Sequence, residues 1–126
     1  MKNDKLQYGM SLKLYFEDKG FGPGVATLLR NIEKTGSLLG AAKEMNMAYS
    51  KAWKIIKNIE NMWGFKLTDR ETGGKNGGGS TLTPQAKKLL ENYEKFCEEG
   101  REEMDKIFEK YFSETWMEDL KNRKDF

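Results

Sequence analysis

The 126-residue sequence predicts a mainly α fold that carries a small β-hairpin and ends in a long helix. Three observations predict it. Apolar residues recur at three- and four-residue spacing in the stretches 24–35, 48–63 and 84–111. Two short β-type segments, FKLTDRE and STLT, flank the glycine-rich run TGGKNGGG. Hydrophobic residues make up 37% of the chain and there are two prolines, a composition that supports one modest core rather than disorder.

The first element expected is a strand at 11–16, SLKLYF, with Leu12, Leu14 and Phe16 alternating onto one half-buried face. Gly and Pro in GFGPG, residues 20–24, then break the chain. Residues 24–35 follow as a helix with Val25, Leu28, Leu29 and Ile32 toward the core. Gly36 suits its C-terminal cap, where a left-handed residue is needed. Ser37 is placed to cap the next helix, LLGAAKEM, because its hydroxyl can accept from a free backbone amide of the first turn. Asn46 follows at a tight turn, since Asn tolerates positive φ. A third helix is expected from about Ala48 to Trp63, with Ala52, Ile56, Ile59 and Trp63 as its apolar stripe and Gly64 closing it.

The two β-type segments form a hairpin with a long glycine-rich tip. Thr83-Pro84 starts the long helix, with proline at its first position, where no amide is required. Its apolar stripe includes Leu89, Tyr93, Phe96, Met104, Ile107, Phe108 and Tyr111, and Gly100 is a point where it can bend or break. Trp116, Met117 and Leu120 repeat at helical spacing before a charged end expected to fray. Two short helices joined by a tight turn and followed by a hairpin make the winged helix-turn-helix plan. Residues 1–84 are expected to be the winged helix-turn-helix domain, and 85–126 a dimerisation helix with a tail.

Composition excludes several functions. There is no histidine and one cysteine, Cys97, so neither an internal disulfide nor a structural zinc is expected. Without paired carboxylates in an apolar setting, little remains from which to build an active site, and no enzyme activity or cofactor is expected. The Gly74-Lys75 pair does not complete a nucleotide-binding P-loop, because Asn76 follows the lysine and Asp69 stands where the first glycine belongs. No signal peptide or membrane span is visible, so a cytoplasmic protein is expected. Net charge is +2, but it is unevenly spread. Residues 37–80 hold seven Lys/Arg and four acids, whereas 84–126 hold nine bases and twelve acids. A basic middle and an acidic tail fit a DNA-facing part and a part that faces elsewhere.

The helix from Ala48 is the candidate recognition element. With Ala52, Ile56 and Ile59 inward, Tyr49, Ser50, Lys51, Trp53, Lys54 and Lys57 take outward and flanking positions. Ser50 can bond base or phosphate, Lys51 and Lys54 suit guanine edges or phosphates, and Lys57 suits a phosphate. Trp53 either faces DNA or packs on another helix. In the hairpin tip, the backbone of Thr72, Gly73 and Gly74 can approach a phosphate closely, Lys75 adds charge and Asn76 adds hydrogen bonds. Arg70, at the base of this wing, and Ser37 complete the expected DNA contacts. A plain amphipathic helix and a plain flexible loop are the competing readings. The stripe on the last helix is long for so small a fold and is expected to pair two copies, unless the wing and tail cover it within one chain.

Specific pieces of this chain are shared with known regulators. They are Gly36-Ser37, Ala41-Ala42, Met47 to Tyr49, Ala52-Trp53, the wing Thr72-Gly73-Gly74-Lys75 with Gly77-Gly78-Gly79, and Leu82-Thr83-Pro84. In these the stretch from Gly36 to Leu90 resembles the N-terminal DNA-binding domain of ModE-type molybdate-responsive regulators. GFKLTDR and LTPQAKKLL are also similar to the corresponding domain of LysR-type regulators. The likeness covers most of residues 11–112. It implies a homodimer joined through the long helix and a transcriptional regulator that binds a palindromic duplex operator. The alternative is a winged-helix protein-interaction module without DNA readout. The sequence departs from the ModE pattern at Ala48, where a serine is expected, and at Ala86, where glycine is common. It also ends at Phe126, where the family's molybdate-binding domains would follow, so direct molybdate sensing is not expected.

Overall fold

The computed structural model describes residues 6–71 and 79–122. The elements run β1 (Leu14–Phe16), β2 (Lys19–Phe21), α1 (Pro23–Thr35), α2 (Leu38–Glu44), α3 (Tyr49–Trp63), β3 (Thr68–Glu71), β4 (Gly79–Leu82), α4 (Pro84–Tyr111) and α5 (Trp116–Lys121). They fall into two compact units: Ser11–Glu94, and the described parts of Met1–Met10 with Lys95–Phe126. The order is that of a winged helix-turn-helix followed by a long helix.

The first unit opens on a hairpin that the sequence reading did not anticipate. The strand begins at Leu14 rather than at residue 11, and the chain returns through Glu17, at φ 58°, into β2. Leu14 pairs with Phe21 and Tyr15 with Gly20 in antiparallel register. Gly20 reads as a breaker in sequence. Here its missing Cβ leaves room for the Tyr15 ring, since a Cβ at Gly20 would lie 2.9 Å from Tyr15 Cε1. Phe16, expected on the buried face, is exposed, and Phe21 fills the core instead.

The three helices that follow behave as their caps and stripes require. In α1, Leu28, Leu29 and Ile32 are fully buried, while Ala26 takes the inward place expected of Val25. Gly36 ends α1 at φ 80°, and its amide donates to the Ile32 carbonyl at 2.8 Å. Ser37 Oγ accepts from the Gly40 amide at 2.9 Å and caps α2. Asn46, at φ 51°, reverses the chain between α2 and α3. Ala52, Ile56 and Ile59 of α3 lie in the core, whereas Trp63 is only partly covered. Gly64 ends α3 at φ 87°.

The wing is fastened to this core at its base. Thr68 to Glu71 pair with Leu82 to Gly79, and Leu67 and Leu82 are buried. The Ser80 amide donates to the Gly36 carbonyl at 2.8 Å. Thr83 Oγ1 donates to the Lys66 carbonyl at 2.7 Å and accepts from the Ala86 amide at 3.0 Å, so one hydroxyl both closes the wing and caps α4. Ala86, Leu90 and Tyr93 of α4 then complete the core. The Phe21 and Tyr93 rings meet edge to face with centroids 5.1 Å apart.

In the second unit, α4 continues unbroken through Gly100, so the expected bend is absent. Tyr8 lies against Phe108 at 5.1 Å, Phe108 against Phe112 at 5.4 Å, and Phe112 against Trp116 at 4.9 Å. The Tyr8 hydroxyl donates to Asp105, and the Arg101 guanidinium sits 5.4 Å from the Tyr8 ring. No helix among the described residues is long and apolar enough to cross a membrane.

Candidate nucleic-acid interface

The inner face of α3 fixes what its outer face presents. With Ala52, Ile56 and Ile59 buried, a helical repeat of about 100° per residue turns Ser50 and Lys54 directly away from the core. Both are exposed, as is Lys51 on one flank. Neither Lys51 nor Lys54 forms an ion pair with a described acid. Tyr49 and Trp53 are 46% and 47% exposed, large areas for aromatic side chains on a small domain.

Lys57 stands apart from the other lysines of the helix. Its Nζ lies 3.3 Å from Glu60 Oε1 and 5.8 Å from the centroid of the Trp53 ring. Trp53 therefore supports a cation rather than packing on another helix face alone. Glu60 is nearly fully buried, and its Oε2 accepts from the Leu67 amide at 2.7 Å. One carboxylate thus ties α3 to the residue just before β3 and draws Lys57 inward. The sequence reading did not single out Glu60. Its signal was a charged residue at the rim of an apolar stripe, but the Leu67 partner lies beyond a turn that spacing does not resolve.

The other expected contact residues divide by location. Ser37 uses its oxygen as the α2 cap, which leaves its proton free to donate outward. Gly40 makes this cap possible, because a Cβ there would sit 2.9 Å from Thr35 and 3.0 Å from Ser37 Oγ. Arg70 is exposed on β3, opposite Ser80. Thr72, Gly73, Gly74, Lys75 and Asn76 lie outside the described residues.

The residues expected to pair two copies also divide. Tyr93 is corrected: it belongs to the core of its own unit, 4% exposed, with its hydroxyl donating to the Leu12 carbonyl at 2.8 Å. Leu89 and Phe108 are partly covered. Phe96, Met104, Ile107 and Tyr111 are exposed. Among the described residues no cluster of His, Cys, Asp and Glu is suited to a metal ion.

Known proteins share part of this sequence. Residues 26–87 match the family model described as bacterial regulatory helix-turn-helix protein, lysR family. The transcriptional regulator ModE of Haemophilus influenzae is 39% identical over 72 residues, 57% of this chain and 28% of that protein. The DNA-binding transcriptional dual regulator ModE of Escherichia coli K12 is 33% identical over 90 residues, 71% of this chain and 34% of that protein. The molybdenum-pterin-binding protein MopB of Rhodobacter capsulatus is 38% identical over 66 residues, 52% of this chain and 24% of that protein. The chain spans about a third or less of the length of the curated relatives it matches.

Proposed function

We propose that this chain binds duplex DNA sequence-specifically and regulates transcription as a homodimer, a reading supported by the match of residues 26–87 to the helix-turn-helix family of lysR-type bacterial regulators. The observation that carries the reading is the outer face of α3. Ser50, Lys51 and Lys54 stand exposed there, and neither lysine is neutralised by a described acid. A free lysine row on a helix of major-groove width suits base edges at its start and phosphates along its flanks. Trp53 adds amphipathic contact area, with Lys57 held over its ring. Ser37 at the start of α2 and Arg70 at the wing base serve as phosphate contacts. The tip residues Thr72, Gly73, Gly74, Lys75 and Asn76 brace the adjoining groove.

Pairing of two copies is ascribed to the exposed stripe of Met104, Ile107 and Tyr111 on α4, with Phe96, Leu89 and Phe108 at its margins. A palindromic operator follows from twofold symmetry, with half-sites roughly 34 Å apart, one turn of DNA. No molybdate site is ascribed to these residues. On this reading the unit Ser11–Glu94, which includes the buried start of α4, reads DNA, and the exposed stripe of α4 pairs the protomers.

The test is fluorescence anisotropy with duplexes selected from a genomic library. If each protomer brings about four cations to phosphates, the dimer neutralises about eight, and affinity should fall by roughly three orders of magnitude or more between 50 and 200 mM salt. Binding that is absent at low salt, with the protein folded, contradicts the proposal.

A further inference from the structure

The GFGPG segment has no part in the interface so far described, yet it shapes one side of a cleft whose other side is α3. The cleft has a volume of about 510 Å³. The hairpin and the start of α1 contribute Lys13, Tyr15 and Val25, and α3 contributes Lys51, Ile55 and Asn58.

Two glycines organise the hairpin side. Gly20 lets the Tyr15 ring lie flat across β2. Gly22 is buried beneath the stem of Lys13, whose Cγ would be 3.0 Å from a Cβ placed there. The Lys13 stem is therefore packed, while its residue as a whole remains exposed. Neither Lys13 nor Lys51 pairs with a described acid, and among the described residues no Asp or Glu lines the cleft. The walls are thus cationic and hydrogen-bonding at the rim and apolar at Val25 and Ile55.

We propose that this cleft is a second DNA-backbone contact, in which Lys13 and Lys51 grip the sugar-phosphate strand that borders the α3 groove. The inference rests on the proposed DNA binding by α3. Lys51 belongs to both surfaces, so the strand that runs past the outer face of α3 continues over the cleft. Two cations with no described acid between them suit successive phosphates. Apolar walls suit the deoxyribose between those phosphates better than a small hydrated ion. The hairpin thereby becomes a contact element alongside the recognition helix and the wing.

The experiment compares Lys13→Ala, Lys13→Arg, Lys54→Ala and, as a control, Lys88→Ala, whose Nζ already faces Glu91 on α4. Each full-length variant is titrated against a selected duplex at several salt concentrations, with circular dichroism confirming the fold. Lys13→Ala should bind severalfold more weakly and lower the salt slope by about one per protomer. Lys13→Arg should restore both, and Lys88→Ala should leave both unchanged. If Lys54→Ala weakens binding while Lys13→Ala matches the parent protein in affinity and slope, the cleft proposal is overturned and the α3 reading stands. If the parent protein binds no duplex, both fall together.

Discussion

The outer face of α3 and the distal part of α4 are both uncovered, and they differ in what they leave bare. On α3 the exposed residues are Ser50, Lys51 and Lys54, beside a tryptophan that supports Lys57. On α4 they are Met104, Ile107 and Tyr111, the last two 47% and 60% exposed, with Lys110 Nζ 5.2 Å from the centroid of the Tyr111 ring. The first surface costs little to hydrate and attracts anions. The second leaves apolar area in water that association would remove at about 25 cal/mol per Å². An unburied amphipathic face is therefore not one kind of signal. On the proposed reading its charge and its apolar content distinguish the partners: a polyanion in one case, a second apolar helix in the other.

The comparison breaks most easily at the lysines. Replacing Lys51 and Lys54 together by Ala should reduce duplex affinity by roughly 30-fold to 10,000-fold, counting about 1–3 kcal/mol for each of the two groove contacts. Thermal stability should hardly move, because both side chains are exposed. Anisotropy and calorimetric melting, run in parallel, check both halves of this expectation.

The apolar side is tested by Ile107→Asp. A charge at the centre of the stripe should raise the dimer dissociation constant by at least about thirtyfold, read by analytical ultracentrifugation. DNA affinity should fall as a consequence, while isolated protomers keep their helix content. A parent protein that sediments as a monomer at all concentrations would remove the contrast.

Within α4 itself the contrast is sharper, because Leu90 and Tyr93 have the three-residue spacing of Met104 and Ile107 yet are 1% and 4% exposed rather than 36% and 47%. Thr83→Ala should cost about 1–2 kcal/mol in chemical denaturation. It removes the α4 cap and the bond to the Lys66 carbonyl together. The loss should not depend on protein concentration, since it acts inside one protomer.

The smallest effect expected is at Arg30 and Glu94. Arg30 Nε donates to Glu94 Oε2 at 2.8 Å, and a second guanidinium nitrogen bonds the other oxygen. These bonds hold the Glu94 carboxyl below its usual range. Because the folded value is the lower one, the stabilisation is complete above the ordinary carboxylate range and is lost as pH falls through the depressed value. Both side chains are nearly half exposed, so Glu94→Gln should cost only about 0.2–1 kcal/mol near neutral pH. The difference from the parent protein should vanish in acid, as pH-dependent urea melts would record.

Local rules made much of this molecule legible from its sequence. Gly36, Ser37, Asn46 and Gly64 stand where caps and turns need them, because capping depends on a few adjacent residues. The inward positions Ala52, Ile56 and Ile59 of α3 are equally readable, and with them the exposure of Ser50, Lys51 and Lys54, though not the partial cover of Trp63 or Lys57. Features made by distant partners were not. Phe21 enters the core only because β1 folds back on β2, and Gly20 in isolation looks like a break. Glu60 finds its amide across the turn to Leu67. Tyr93 and Tyr111 share a stripe in sequence, and distant partners, Phe21 against the ring and the Leu12 carbonyl at the hydroxyl, mark Tyr93 as a core residue.

The most direct test of the contrast between the two faces is an amide chemical-shift map of the intact protein during titration with a selected duplex. The account predicts that shifts gather at Ser37, Tyr49 to Lys54 and Arg70, with Met104 to Tyr111 unmoved at fixed oligomeric state. Shifts centred on Met104 to Tyr111, with Ser50, Lys51 and Lys54 silent, would contradict it.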